Sequence, residues 1–162
     1  ASDVYKRQAQ CMAEIVHRYE GVSERMGYQI HLTLDEPCMV RCDESKIDRV
    51  IGNLINNAIN YTSKEDKQVF VTQRNLPQCV RIEVRDTGDG IEEDKIKLIF
   101  DKYYRSENHK REVVGTGLGL SIVKHGAILH GAKVTVSSEP GKGTKIEIRF
   151  PKEKKMKKAE VL

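Results

Sequence analysis

The chain has 162 residues, 38% hydrophobic and 32% charged, which suits one globular domain with a real core. Its net charge of +4 is concentrated at one end: residues 152–162 carry five Lys against two Glu, which leaves +1 for the rest and excludes a nucleic-acid footprint there. No apolar run approaches membrane-spanning length and no signal-peptide pattern opens the chain, so a cytoplasmic domain is expected.

Residues 1–8 look foreign to the fold. Asp3-Val4-Tyr5-Lys6-Arg7-Gln8 back-translates to GATGTGTATAAGAGACAG, which resembles a transposon end used to tag sequencing libraries. The codons of the source DNA test this reading, and different codons end it. From 9 to 27, Met12, Ile15, Val16, Tyr19 and Val22 recur at helical spacing, and Gly27 stops a helix leading into the main domain, 28–151. Ile30, Leu32 and Leu34 alternate as in a strand, and Cys38 to Cys42 forms a second. Asp43 or Ser45 caps the next helix, whose apolar face is Ile47, Val50, Ile51, Leu54, Ile55 and Ala58.

Strands follow at Gln68–Arg74 and Cys79–Arg85, joined through Asn75-Leu76-Pro77-Gln78. A short helix spans Glu92–Leu98, a polar loop covers Ser106–Val114, and a helix runs from Gly117 to Leu129. Val134/Val136 and Ile146/Ile148/Phe150 make a closing hairpin around Glu139–Gly143, and residues 152–162 form a basic flexible tail. This order predicts an α/β (α+β) two-layer sandwich, with helices on one face of a mainly antiparallel mixed sheet. Cys11, Cys38, Cys42 and Cys79 lack zinc spacing and read as free thiols of a reducing compartment.

Four short motifs carry the chemistry. Asn53, Asn57 and Asn60 lie at i, i+4 and i+7 of one helix, a polar stripe of residues that are poor interior helix formers. Neutral amide oxygens in such a line suit Mg2+, which prefers oxygen ligands and keeps waters and phosphates around it. Asp86-Thr-Gly88-Asp-Gly90 follows a strand, so a carboxylate stands at the sheet's end beside a tight turn. Ile99-Phe100-Asp-Lys-Tyr103-Tyr104-Arg105 comes next. Gly115-Thr116-Gly117-Leu118-Gly119-Leu120 then opens a helix, where free amide N–H groups and the helix dipole favour anions.

In this order the four resemble the N, G1, F and G2 boxes of the catalytic and ATP-binding domain of bacterial sensor histidine kinases, within the GHKL superfamily. The resemblance implies a Bergerat-type ATP-binding fold and Mg-ATP as cofactor. It makes Asn57 the metal ligand, has Asn53 support the phosphates, and stacks Tyr61 on adenine. Asp86 would accept from the adenine amine, with Gly88, Gly90 and Ile91 around the base and the Thr144 hydroxyl supporting Asp86 and a bound water. Phe100 becomes a core anchor of the nucleotide site, and Arg105 approaches the γ-phosphate as a catalytic residue beside Asn53. Gly115 and Gly117 hinge a lid around Thr116, and amides near Leu118, Gly119 and Leu120 hold phosphates.

Two departures from the family pattern matter. Hydrolytic relatives and the sigma-factor serine kinases carry a Glu general base one turn before the metal Asn; here Asn53 stands there, and an amide takes no proton from water. Many members carry a phosphate-binding Lys where this chain has Asn60, and Lys64, Lys67, Lys110 or Arg111 would have to replace it. His17, His31, His109, His125 and His130 all lack the phosphoacceptor context of a His followed by an acid. The expected partners are therefore an upstream dimerisation and phosphoacceptor hairpin of the same, membrane-anchored kinase and a response-regulator receiver domain, with no nucleic acid. The alternatives are a GHKL ATPase or anti-sigma serine kinase, or a non-catalytic nucleotide-binding module.

Overall fold

The computed structural model describes residues 8–11, 17–19, 29–35, 39–60, 68–96, 98–99 and 119–152. Its elements run β1 (Gln8–Cys11), β2 (Gln29–Leu34), β3 (Met39–Cys42), α1 (Glu44–Asn60), β4 (Gln68–Asn75), β5 (Cys79–Asp86), α2 (Glu93–Ile96), α3 (Gly119–Leu129), β6 (Lys133–Glu139) and β7 (Gly143–Pro151). Five strands form one sheet in the order β2-β4-β5-β7-β6, parallel between β2 and β4 and antiparallel elsewhere.

Strand alternation gives this sheet a wet face and a dry one. Val69, Val71, Val80, Ile82, Val84, Ile146, Ile148 and Phe150 are buried on the inner side. Over them lies the predicted apolar face of α1, with Ile47, Val50, Ile51, Leu54, Ile55 and Ala58 all at most 5% exposed. Each such side chain contributes about 1.5–3 kcal/mol by leaving water, so α1 is the main clamp on the sheet. α3 packs beside α1 with Leu120, Val123 and Ala127 buried, and Gly126 meets α1 closely: a Cβ there would sit 2.5 Å from Val50 Cγ2.

The N-terminus of α1 is held from two sides. Asp43 is its cap, with Oδ1 accepting from the Ser45 amide at 3.1 Å, the Ser45 hydroxyl at 2.8 Å and the Lys46 amide at 3.4 Å. The buried His130 imidazole, just past α3, accepts the Asp43 N–H on Nε2 at 3.0 Å, and its Nδ1 meets the Gly126 carbonyl at 2.8 Å. Nε2 as acceptor requires the proton on Nδ1, so one neutral tautomer ties the end of α3 to the start of α1.

The expected helix over 9–27 is corrected at its start. Ala9–Cys11, with Gln8, form β1, antiparallel to β3 in the register Gln8↔Cys42 to Cys11↔Met39. The open hydrogen-bonding edge of β3 takes a partner there, which outweighs local helical spacing. Gln8, assigned above to the foreign segment, is thus paired, and most of the apolar positions behind the helix expectation lie outside the described residues. Tyr19 is described: its hydroxyl lies 2.9 Å from the Asp48 carbonyl and 3.0 Å from Asp48 Oδ1, over Gly52 of α1. Cys38 and the basic tail beyond Lys152 are likewise outside the described residues, while Cys42 and Cys79 are free thiols.

The Ser45 hydroxyl, with the Lys46 and Ser45 amides, holds Asp43 below the usual carboxylate range despite its burial. A carboxylate with a depressed folded-state pKa contributes stability above its unfolded value, and that contribution disappears as pH falls through the folded one. Asp43→Ala should cost about 1 kcal/mol at neutral pH. In urea melts the gap to wild type should narrow below about pH 4. Gly126→Val should cost about 1–3 kcal/mol in the same assay by pushing α3 off Val50.

Candidate nucleotide-binding site

Asp86 ends β5 on the same side as Val80, Ile82 and Val84 and stays partly exposed. Its Oδ1 accepts the Gly88 N–H at 2.9 Å and the Thr144 N–H at 3.3 Å. The first bond closes a tight Asx turn. The second ties the end of β5 to the start of β7. The carboxylate is thereby fixed in direction before any ligand arrives.

Two glycines make this arrangement sterically possible. Gly143 has φ 125°, and a Cβ on it would lie 2.1 Å from the Asp86 carbonyl oxygen. Gly90 has φ 74°, and a Cβ there would lie 2.2 Å from the Glu139 carbonyl oxygen. The Gly141 N–H also donates to the Asp89 carbonyl at 2.7 Å. The Asp86–Ile91 loop and the β6–β7 turn therefore touch backbone to backbone, at a separation that excludes any side chain.

Ser138 is the residue the sequence did not flag. Its hydroxyl accepts the Ile91 N–H at 2.7 Å and lies 3.1 Å from the Gly143 carbonyl and 2.8 Å from Thr144 Oγ1. A serine has one proton, so donation to Gly143 leaves the Thr144 hydroxyl as donor to Ser138. Thr144 thus departs from its expected role: its backbone N–H, not its hydroxyl, reaches Asp86, and the hydroxyl is turned to Ser138. The available signal was a serine following Val134 and Val136 at an inward position of β6.

On α1 the Asn stripe is present. The Asn53 amide nitrogen donates to the Arg49 carbonyl at 2.7 Å, and that of Asn57 to the Asn53 carbonyl at 2.8 Å. With one N–H of each amide bonded back to the helix, the side-chain oxygen is the acceptor that each Asn can offer a cation. Among the described residues no three His, Cys, Asp or Glu side chains gather as a metal site, so a cation beside α1 would rest on amide oxygen, phosphate and water. That donor set fits Mg2+.

Asn60 is described by its backbone as the last residue of α1, and Gly119 and Leu120 open α3, Leu120 with its side chain buried. Tyr61, Phe100, Arg105, Gly115, Thr116, Gly117 and Leu118 lie outside the described residues, as do Lys64, Lys67, Lys110 and Arg111. The structure thus brings Asp86, Gly88, Thr144 and, through Ser138, Ile91 into one hydrogen-bonded unit, packs Gly90 against Glu139, and sets Asn53 and Asn57 on the helix that covers the same sheet face.

The family described as Histidine kinase-, DNA gyrase B-, and HSP90-like ATPase matches residues 42–154. The chain belongs to this family. Sensor histidine kinase YkoH of Bacillus subtilis is 38% identical over 127 residues, 76% of this chain and 27% of the relative. Sensor-like histidine kinase SenX3 of Mycolicibacterium smegmatis is 34% identical over 143 residues, 86% of this chain and 36% of the relative. The chain thus spans about a quarter to a third of the curated relatives it matches.

The mycobacterial sensor histidine kinase MprB superimposes with a TM-score of 0.76 at 28% identity, covering 90% of this chain and 97% of that one. The catalytic domain of histidine kinase ThkA has the same fold, with a TM-score of 0.76 at 24% identity over 90% and 95% of the two chains. The α/β sandwich is therefore that of a sensor-kinase catalytic domain, and the family uses ATP.

The close backbone contact yields a differential test. Gly143→Ala drives a Cβ into the Asp86 carbonyl and should cost about 1–3 kcal/mol. Gly141→Ala, at φ 83° with nothing within 4 Å, should cost only about 1 kcal/mol. Denaturant melts of the two variants side by side check the order.

Proposed function

We propose that the chain binds Mg-ATP between α1 and the Asp86–Ile91 loop and donates the γ-phosphoryl group to a histidine on a separate helical hairpin. The carrying observation is Asp86, held by two backbone N–H groups with a carboxylate edge at the end of the sheet. An ionised acceptor fixed in direction suits an exocyclic amine such as adenine N6 and rejects a carbonyl at the same place. Ile91, bonded through its N–H to Ser138, keeps the loop beneath the base in one conformation.

Asn57 Oδ1 is the oxygen we assign to Mg2+, which when bound neutralises phosphate charge. Asn53 argues for transfer over hydrolysis. Its amide is bonded to the Arg49 carbonyl and is no base for water. An imidazole needs no such base: its free nitrogen lone pair attacks phosphorus, the bond to the β-phosphate oxygen breaks, and ADP leaves with that electron pair. Positioning and charge neutralisation by Arg105 and the α3 amides are what the domain supplies. The acceptor hairpin and a receiver domain that takes the phosphoryl group onward complete the proposed pathway.

The test is a titration with a fluorescent ATP analogue, with and without Mg2+, on wild type and Asp86→Asn. The variant loses the charged acceptor and should bind about 1–3 kcal/mol more weakly while its melt stays near wild type. Unchanged affinity in the variant would remove adenine from Asp86. Steady phosphate release from Mg-ATP by the chain alone would replace transfer with hydrolysis.

A further inference from the structure

The inner sheet face carries the core and the nucleotide site, and the outer face carries an unusual charge pattern. Strand register puts Arg74 opposite Arg81, Arg81 opposite Arg149, and Arg149 opposite Lys133. Four cations thus cross four neighbouring strands in one row, at strand spacings of about 4.8 Å. Like charges placed directly opposite destabilise a sheet, and the carboxylates of Asp35 and Glu147 beside Arg74, Arg81 and Arg149 offset that repulsion only in part.

The next row holds Glu83 opposite Glu147, and the row after it holds Arg85 opposite Lys145. Glu147 stays ionised: burial pushes its carboxyl up, and the Thr135 hydroxyl with Arg149 and Arg81 more than offsets that, leaving it below the usual range. It meets Arg81 Nε and Arg149 at 3.3 Å each, and Lys145 reaches Glu83 at 3.8 Å. With Asp35 lying 3.6 Å from Arg74 at the end of the first row, three carboxylates stand against six cations and leave three positive charges in excess.

That excess reaches water. The side chains of Arg74 and Arg149 are 49% and 48% exposed. At the border of the pattern Phe70 is sandwiched, with the His31 ring stacked at 4.7 Å and the Arg85 guanidinium 4.3 Å above its other face. An aromatic ring pre-ordered between two planar groups beside exposed arginines is the composition of a protein-binding patch.

We propose that this outer face docks an acidic polypeptide surface, a partner domain whose carboxylates line up along the Arg74–Arg81–Arg149–Lys133 row. The Glu83–Glu147 row between the cationic rows favours a polypeptide, which can set a Lys against it; a uniformly anionic lipid surface or a phosphate backbone would meet it with repulsion. Arg81 lies five residues before Asp86 on β5, about 17 Å along the strand. A partner on the outer face therefore leaves the nucleotide site open.

The test measures binding of fluorescently labelled poly-L-glutamate to the full chain at low salt. Competing arms use phosphatidylserine vesicles and single-stranded RNA. Wild type should bind poly-L-glutamate saturably, and Arg74→Ser with Arg149→Ser should weaken it about tenfold. Changing the five tail lysines of 152–158 to Gln should weaken it less than about threefold. The double variant should melt within a few degrees of wild type, because the like-charge neighbours it removes offset the exposed ion pairs it loses to Asp35 and Glu147, and should bind the ATP analogue normally. Lys133→Ser, at the exposed sheet edge, gives a second variant of the row if the double one is poorly folded, and should weaken binding about threefold. Loss of binding with the tail substitutions alone, insensitivity to the row, or tighter binding to vesicles or RNA would each overturn the proposal.

Discussion

Helix α1 packs with one face and carries the Asn53 and Asn57 amides on its flank, and everything else follows from its fixed rotation. At 100° per residue, the side chains that fill the sheet's inner face dictate where Asn53 and Asn57 stand. Ile47, Val50, Ile51, Leu54, Ile55 and Ala58 leave α1 no freedom to turn without exposing an aliphatic side chain. The direction of the amide stripe is therefore set by the core, and the bonds from Asn53 to the Arg49 carbonyl and from Asn57 to the Asn53 carbonyl fix the side chains on it. The cap at Asp43 and the His130 bridge from α3 secure the same helix at its first turn.

The second constraint is the contact between the Asp86–Ile91 loop and the β6–β7 turn. A loop bearing a ligand-binding carboxylate is ordinarily the mobile part of a domain. Here it is pinned by Gly143 against the Asp86 carbonyl, by Gly90 against Glu139, and by the Ser138 hydroxyl at Ile91. Preorganisation of this kind lowers the entropic cost of holding a ligand, since the acceptor is already aimed. The geometry makes glycine a steric necessity at positions 90 and 143.

The two faces of the sheet differ in how far charge is tolerated. The inner face admits few polar side chains, among them Gln73, whose amide is bonded to Asp35 and Asn75 at the end of the sheet away from Asp86. The outer face carries a run of like charges that outnumbers the carboxylates beside it. That contrast separates a buried apolar face from a charged face turned to water.

Much of this was legible in the chain itself. The amphipathic period of α1, the alternation of β4 to β7 and the order of the four motifs are local properties, set by 3.6- and 2-residue repeats and by turn chemistry, so they determined the sandwich and the family. The tight turn at Asp86 and the cap at Asp43 were also readable, because both depend on residues within a few positions. Tertiary structure decided the rest. Ala9–Cys11 became a strand because β3, some thirty residues on, had an edge to fill. Ser138 and the backbone N–H of Thr144 entered the site because the β6–β7 turn folds onto the loop after β5, a pairing with no local signature. The cationic row exists only once register aligns residues 74, 81, 149 and 133, which the sequence scatters across four strands. Periodicity governs which way each side chain faces; which side chains meet depends on long-range pairing, and that information is spread over the whole chain.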